Sequence, residues 1–331
     1  MDVIFWSESM TRKIAAAIAA FLALLSIVSL ARTWVFAQSQ DFSLQSVATG
    51  VWVAIATDTG RAGGNAGFVI GDDGIAVIDT FEHPDAAGNL LAAIRRVSPL
   101  PIRFVINTHY HLDHVNGNDV FANTGALVFA HRNVRAWIRT ENLKWWGEAI
   151  KPEDKARVQS LKLPDAVYDD GMDLYLGRRL LELRFFPGHT GGDTLVRISD
   201  ARIVFCGDLL WKDHVPNLID ASTEQWIATL DVLRNNYPQS VFVPGHGGIA
   251  DSADVTTFKD YLVDLRTRVQ DAQGRGESGN ALVNAILPSL KNKYGAWGFF
   301  DDFAKENILQ TAQEVVGRKR VPPSLKSGGT H

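Results

Sequence analysis

One cysteine, Cys206, is all the thiol that the 331 residues contain. That excludes an internal disulfide and any cysteine-rich metal site, so a bound metal would have to use histidine and carboxylate. Positive charge is also short. Lys and Arg total 33 against 37 Asp and Glu, giving a net charge of −4 and a pI near 6.1. A chain with no basic footprint is not expected to hold nucleic acid. What is present is the balance of a globular protein, 46% hydrophobic and 21% charged, long enough to bury a full core.

The apolar run "IAAAIAAFLALLSIVSL" at 14–30 follows Arg12 and Lys13, and the small residues Val35 and Ala37 come after it. A basic start, an apolar middle and a small-residue site describe a secretory signal over 1–37, with Met10 the more natural initiator and cleavage near Ala37. An uncleaved anchor is the alternative, the run being at the lower edge of spanning length. Either form puts the domain, 38–320, outside the cytoplasm, periplasmic or secreted. No stable membrane span is expected after cleavage, and 321–331 read as a flexible tail.

Short strands follow from about residue 44: "GVWVAIA" (50–56), "NAGFVIG" (65–71), "GIAVIDT" (74–80) and, after a helix over 84–97, "RFVINT" (103–108). A helical pattern begins near Asn133, and 147–172 read as a polar, irregular loop. The second half repeats the rhythm, with strands at 173–176, 180–186, 194–199, 202–206 and 240–245. Ser222 and Gln225 open a helix as a capping-box pair, and helices fill much of 252–315. Strands then helices, twice over, predict an α+β fold of two packed sheets with helices outside both.

The chemistry concentrates in "NTHYHLDHVNGN" (107–118), with "PGHTGGD" (187–193) and "PGHGG" (244–248) as similar glycine-flanked loops. His109 and His111 alternate along an extended segment and so face one side. One metal pocket takes His109 and His111 with His189 as the third neutral donor. A second takes Asp113 and His114 with His246. Asp208, ending the apolar strand of "FCGDLLW", has two oxygens and can bridge two cations. Such a pair about 3.5–4 Å apart is the clamp of binuclear hydrolysis.

With these residues in order, the chain resembles the metallo-β-lactamase fold superfamily, whose signature is the H-x-H-x-D-H loop followed by His, a bridging Asp and a last His. The resemblance covers about residues 44–250. It implies a four-layer αβ/βα sandwich with two Zn²⁺ in a cleft at one edge of the sheets, iron or manganese being the alternatives. The best-known β-lactamase subgroup carries cysteine where Asp208 stands and lacks a metal-binding residue at the position of His114. The full set here is typical of relatives resembling glyoxalase II and lactonases. The expectation is a hydrolase in which a metal-bridging hydroxide attacks an ester, thioester, lactone or lactam of a small-molecule substrate. Asp208 and Asp113 serve catalysis, and Asp113 also orients or accepts the proton. A β-lactamase proper and a mononuclear iron oxidoreductase similar to the persulfide dioxygenases are the alternatives.

Other residues carry weaker signals. Asp79 could hydrogen-bond a ligand histidine or simply cap a turn. His214 and Asn217 line the cleft mouth or lie on a surface loop. His131 reads as structural, His83 carries no clear signal, and His331 belongs to the tail. Cys206 reads as a buried structural thiol. Trp145, Trp146, Trp211 and "YGAWGFF" (294–300) are either a wall for an apolar substrate or packing aromatics.

Overall fold

The computed structural model describes residues 35–323; the expected signal up to residue 34 and the tail from 324 lie outside the described residues. Among them no helix is long and apolar enough to cross a membrane. An eight-stranded sheet runs in chain order: β1 (Val35–Gln38), β2 (Phe42–Ala48), β3 (Val51–Ala56), β4 (Ala66–Ile70), β5 (Ile75–Ile78), β6 (Ile102–Ile106), β7 (Leu127–His131) and β8 (Ala166–Tyr168). The second sheet has the order β13-β12-β11-β10-β9, built from β9 (Gly171–Leu176), β10 (Arg179–Phe185), β11 (Thr194–Ile198), β12 (Ile203–Trp211) and β13 (Val241–His246). β2 to β5 pair antiparallel, and β5 to β8 parallel. In the second sheet only β12 and β13 run parallel.

The two-residue period of a strand sends alternate side chains to opposite faces. Val51 and Val53 of β3, Ala76 and Ile78 of β5, and Ile203 and Phe205 of β12 meet in one core between the sheets. Their neighbours Trp52, Ala54, Ile75 and Val77 pack outward against the helix Pro84–Val97. On the far side Val204 and Cys206 pack with the helices Thr223–Asn236, Ser252–Gly274, Gly279–Tyr294 and Phe300–Val315. The result is the αβ/βα sandwich expected from the sequence. Cys206 is fully buried, and burial pushes its thiol well above the ordinary range.

Three local expectations need correction. Residues 147–172 are not an irregular loop: they hold a 3₁₀ turn at Gly147–Ala149, a helix at Pro152–Ser160, all of β8 and the start of β9. The helix has Pro152 in its first turn with Glu153 and Asp154, but Val158 is its one buried residue, so no apolar period announces it. β12 does not stop at 206. Gly207 takes a left-handed φ of 50° and the strand continues through a register shift to Trp211. Finally, Ser222 accepts from Gln225 N at 3.4 Å, but the rest of that cap comes from far away. Glu314, near the end of the last helix, accepts from Thr223 N and Glu224 N at 3.1 and 3.2 Å. A carboxylate there meets both the orphan amides and the positive end of the helix dipole.

Candidate metal centre

The carboxyl ends of β5, β6 and β13, the loop before β11 and the middle of β12 converge at one edge of the sandwich. Beyond β6 the chain turns through residues 107–111 into the short helix Leu112–Val115. His109 sits in a bend, His111 keeps the extended backbone the sequence suggested, and their rings face one pocket with centroids 4.7 Å apart. His189 joins them, its Nε2 at 2.9 Å from His111 Nδ1. Thr194 N donates to Thr108 O at 2.7 Å, and this backbone bond ties the loop of one sheet to a strand of the other.

Asp208 stands between two groups of donors. Its Oδ2 lies 3.5 Å from His109 Nε2 and 3.2 Å from His189 Nε2. Its Oδ1 lies 3.1 Å from His114 Nε2 and 3.4 Å from His246 Nε2. Asp113 Oδ2 completes the second group, 3.3 Å from His114 Nε2 and 3.2 Å from His246 Nε2. The structure thus brings together all seven residues singled out from the loop motifs. They fall into two sets that share Asp208, with the donor atoms of each set within 4.8 Å of one another.

The donor set fits divalent metal ions. His109 Nε2, His114 Nε2, His246 Nε2 and Asp208 Oδ1 are buried with no hydrogen-bond partner among the described residues. A folded chain rarely leaves that many inward-facing polar atoms unmet unless a cation joins them. Electrostatics divide the two sets. Against burial, the carboxylates of Asp208 and Asp113 raise His114 and His246, so that a cation there must displace a proton, whereas His109 and His189 are already neutral. Burial pushes His189 down to about 3 and His109 well below its ordinary range, which keeps their lone pairs free to bind. Burial alone would raise Asp208, but the surrounding imidazoles, His114 and His246 foremost, hold it well below the carboxylate range.

Asp79 is the hydrogen-bonding partner of a donor histidine. Its Oδ2 is 2.8 Å from His114 Nδ1, which turns Nε2 inward, and its Oδ1 accepts from Thr108 N at 2.8 Å. Asp79 holds this position at a left-handed φ of 58°, backbone strain kept beside the site. His214 and Asn217 both line the cavity above the centre. His214 Nδ1 is 2.6 Å from Lys212 O, and Asn217 Oδ1 accepts from Ile219 N at 2.9 Å. His131 stands apart, accepting from Asn133 N and stacked on Phe185, with burial pushing it down to about 4. His83 caps the helix Pro84–Val97 by accepting from Asp85 N.

Sequence reasoning missed three supports. Asn65 donates to Pro244 O at 2.9 Å and Gly247 O at 2.8 Å, which pins the turn carrying His246. Asp193 accepts from Thr190 N at 2.8 Å and shapes the loop of His189. Asp220 comes within 3.9 Å of His111 Nε2 while accepting from Lys144 at 2.8 Å and from Tyr110. Asp193 closes a quoted glycine loop and could have been found; Asn65 and Asp220 sit in stretches with no local signal. Gly245 matters sterically, since a Cβ there would overlap Asp208 Oδ1.

Above the donors opens a cavity of about 980 Å³. Trp146, Trp211, Phe299 and Phe303 line it, so part of the "YGAWGFF" stretch does form a wall. Trp211 stacks on His246 at 3.9 Å between ring centroids. Phe299 holds a left-handed φ of 59° and brings its ring within 5.8 Å of His246.

A family model described as the metallo-beta-lactamase superfamily matches residues 59–246. A hydroxyacylglutathione hydrolase of Methylococcus capsulatus is 28% identical over 206 residues, 62% of this chain and 71% of that protein. A linear primary-alkylsulfatase of a Pseudomonas species is 21% identical over 294 residues, covering 74% of this chain and 54% of the relative. The chain thus spans about half the length of the alkylsulfatase it matches. Among solved structures, a metallo-beta-lactamase from Pontibacter korlensis has a TM-score of 0.57 at 22% identity, covering 67% of this chain and 99% of that one. At that identity the likeness is one of fold.

Proposed function

From the premise that the chain belongs to the metallo-beta-lactamase superfamily and is a metallohydrolase, we propose that it holds two zinc ions and cleaves an acyl C–O or C–S bond in a small molecule. The observation that carries this reading is the division of Asp208, one oxygen toward each donor set. When bound, the ions supply Lewis acidity for the scissile carbonyl and lower the pKa of water toward ~7. The chain supplies the rest. His109, His111 and His189 would hold one ion, and Asp113, His114 and His246 the other, with Asp208 between. Asp208 is buried at the cavity floor with its two oxygens turned toward the donor histidines, so its part is placement. Asp113 has a quarter of its side chain exposed and lines the cavity, which lets its carboxylate orient the attacking water and take its proton. Asp79 fixes the tautomer of His114 and Asp220 steadies the ring of His111.

The bridging-type carboxylate and the hydroxyacylglutathione hydrolase relative favour esters, thioesters and lactones over β-lactams. The same reading takes 1–37 as an export signal that delivers the domain to the periplasm or the medium. Zinc-loaded protein assayed on an aryl ester, a thioester, an aryl lactone, a chromogenic β-lactam and an alkyl sulfate is expected to turn over an acyl ester, thioester or lactone best. Chelation should remove at least ~100-fold of that activity, and added zinc should restore it. Turnover that survives complete metal removal would contradict the reading.

A further inference from the structure

The cavity walls carry a charge pattern that bears on substrate class. Among the described residues no lysine or arginine lines the cavity, whereas Asp58, Glu82 and Asp213 do, in addition to Asp113 and Asp208 at the floor. Four basic side chains next to the lining segments each pair with an acidic group. Lys144 bonds Asp220 at 2.8 Å and Glu141 at 2.6 Å. Lys212 bonds Asp254 at 2.8 Å and Ile249 O at 3.0 Å. Arg61 pairs with Asp85 at 2.6 Å. Arg157 pairs with Asp154 at 3.5 Å and lies behind the wall over the ring of Trp146 at 5.9 Å, from where its charge also reaches Glu82. The rest of the wall combines neutral polar side chains, Thr57, Asn65, His214 and Asn217, with the aromatic rings of Trp146, Trp211, Phe299 and Phe303.

We propose that the substrates of this centre carry no negative charge on the part that fills the cavity: they are uncharged or cationic acyl compounds with an apolar body. The inference rests on the hydrolase reading above and narrows it. A carboxylate or sulfate on the substrate body would leave water for a space lined by no lysine or arginine and would meet the like charge of Asp58, Glu82 and Asp213. An uncharged chain can pack on the rings of Trp146, Trp211, Phe299 and Phe303, and a cationic group finds both aromatic faces and carboxylates. The volume suits a body the size of a drug molecule. Phe299 adds weight, because the chain keeps its backbone in a strained conformation while its ring closes this wall. Positive charge from bound ions would act at the floor, on the reacting group, where Asp113 and Asp208 offset part of it.

The test uses zinc-loaded protein and a matched series of aryl esters and thioesters whose acyl chain ends in methyl, carboxylate or trimethylammonium, with a glutathione thioester as a further anionic member. The methyl and trimethylammonium members are expected to exceed the carboxylate member by roughly tenfold or more in kcat/KM, mostly through KM. The gap should shrink at about 0.5 M salt, where exposed charges are screened. It should shrink again in the triple variant Asp58→Asn, Glu82→Gln, Asp213→Asn. Whichever of the two favoured members leads tells an uncharged from a cationic substrate. Equal or better turnover of the carboxylate member overturns the proposal while leaving the hydrolase reading intact. So does a gap unmoved by both salt and the triple variant, which would make it steric. Turnover of no member overturns the hydrolase reading itself, and the proposal with it.

Discussion

Asp208→Ala is expected to lower turnover by at least ~10³-fold and to reduce bound metal below two equivalents per chain, because both donor sets lose the ligand they share. The arithmetic of the site explains the size of the effect. One set would be left with His109, His111 and His189, the other with Asp113, His114 and His246, and nothing would hold the two in register. The fold should survive, since Asp208 draws on no hydrophobic packing and the rest of β12 stays buried between sheet and helices. Circular dichroism and metal analysis on the same sample separate loss of site from loss of fold. A folded Asp208→Ala protein with wild-type activity would disprove the shared-ligand arrangement.

Asp79→Asn should act on one half of the centre only. The amide oxygen can still accept from Thr108 N, but its NH₂ cannot accept a proton from His114 Nδ1. The imidazole is then pressed toward the tautomer with its proton on Nε2, the atom that faces Asp208 and Asp113. Affinity of the second set is expected to fall by about 10–100-fold, as for other partners of ligand histidines. His109, His111 and His189 do not depend on that bond, so one tight equivalent should remain in a metal titration. Two equivalents bound as tightly as in the unsubstituted protein would show that Asp79 does not position His114.

The sequence made the sandwich legible because its strands are short, apolar and punctuated by Gly, Asp and Asn, and because a period of two sorts side chains into the two cores. Strand and helix positions such as 84–97 could be read for that reason. The helix at Pro152–Ser160 could not, since a polar surface helix with one buried residue has no periodicity to detect. The centre was legible where its residues lie close together, as in "HYHLDH", or beside glycine, as His189 and His246 do. Residues that act through tertiary contact were hidden. Asn65 reaches Pro244 across 179 positions and Asp220 reaches His111 from the far side of the chain. Asp79 lay between: its place at a strand end was visible, but the choice between turn cap and histidine partner needed the geometry of His114. Likewise the aromatic stretch at 294–300 could be seen, while its place over the cavity could not.

If two cations share Asp208, a count of metal per chain must find both. Protein purified without added chelator and analysed by inductively coupled plasma mass spectrometry is expected to carry two equivalents of divalent metal, zinc foremost. A single equivalent of iron, or no metal in a folded chain that also fails to take up zinc, would contradict it.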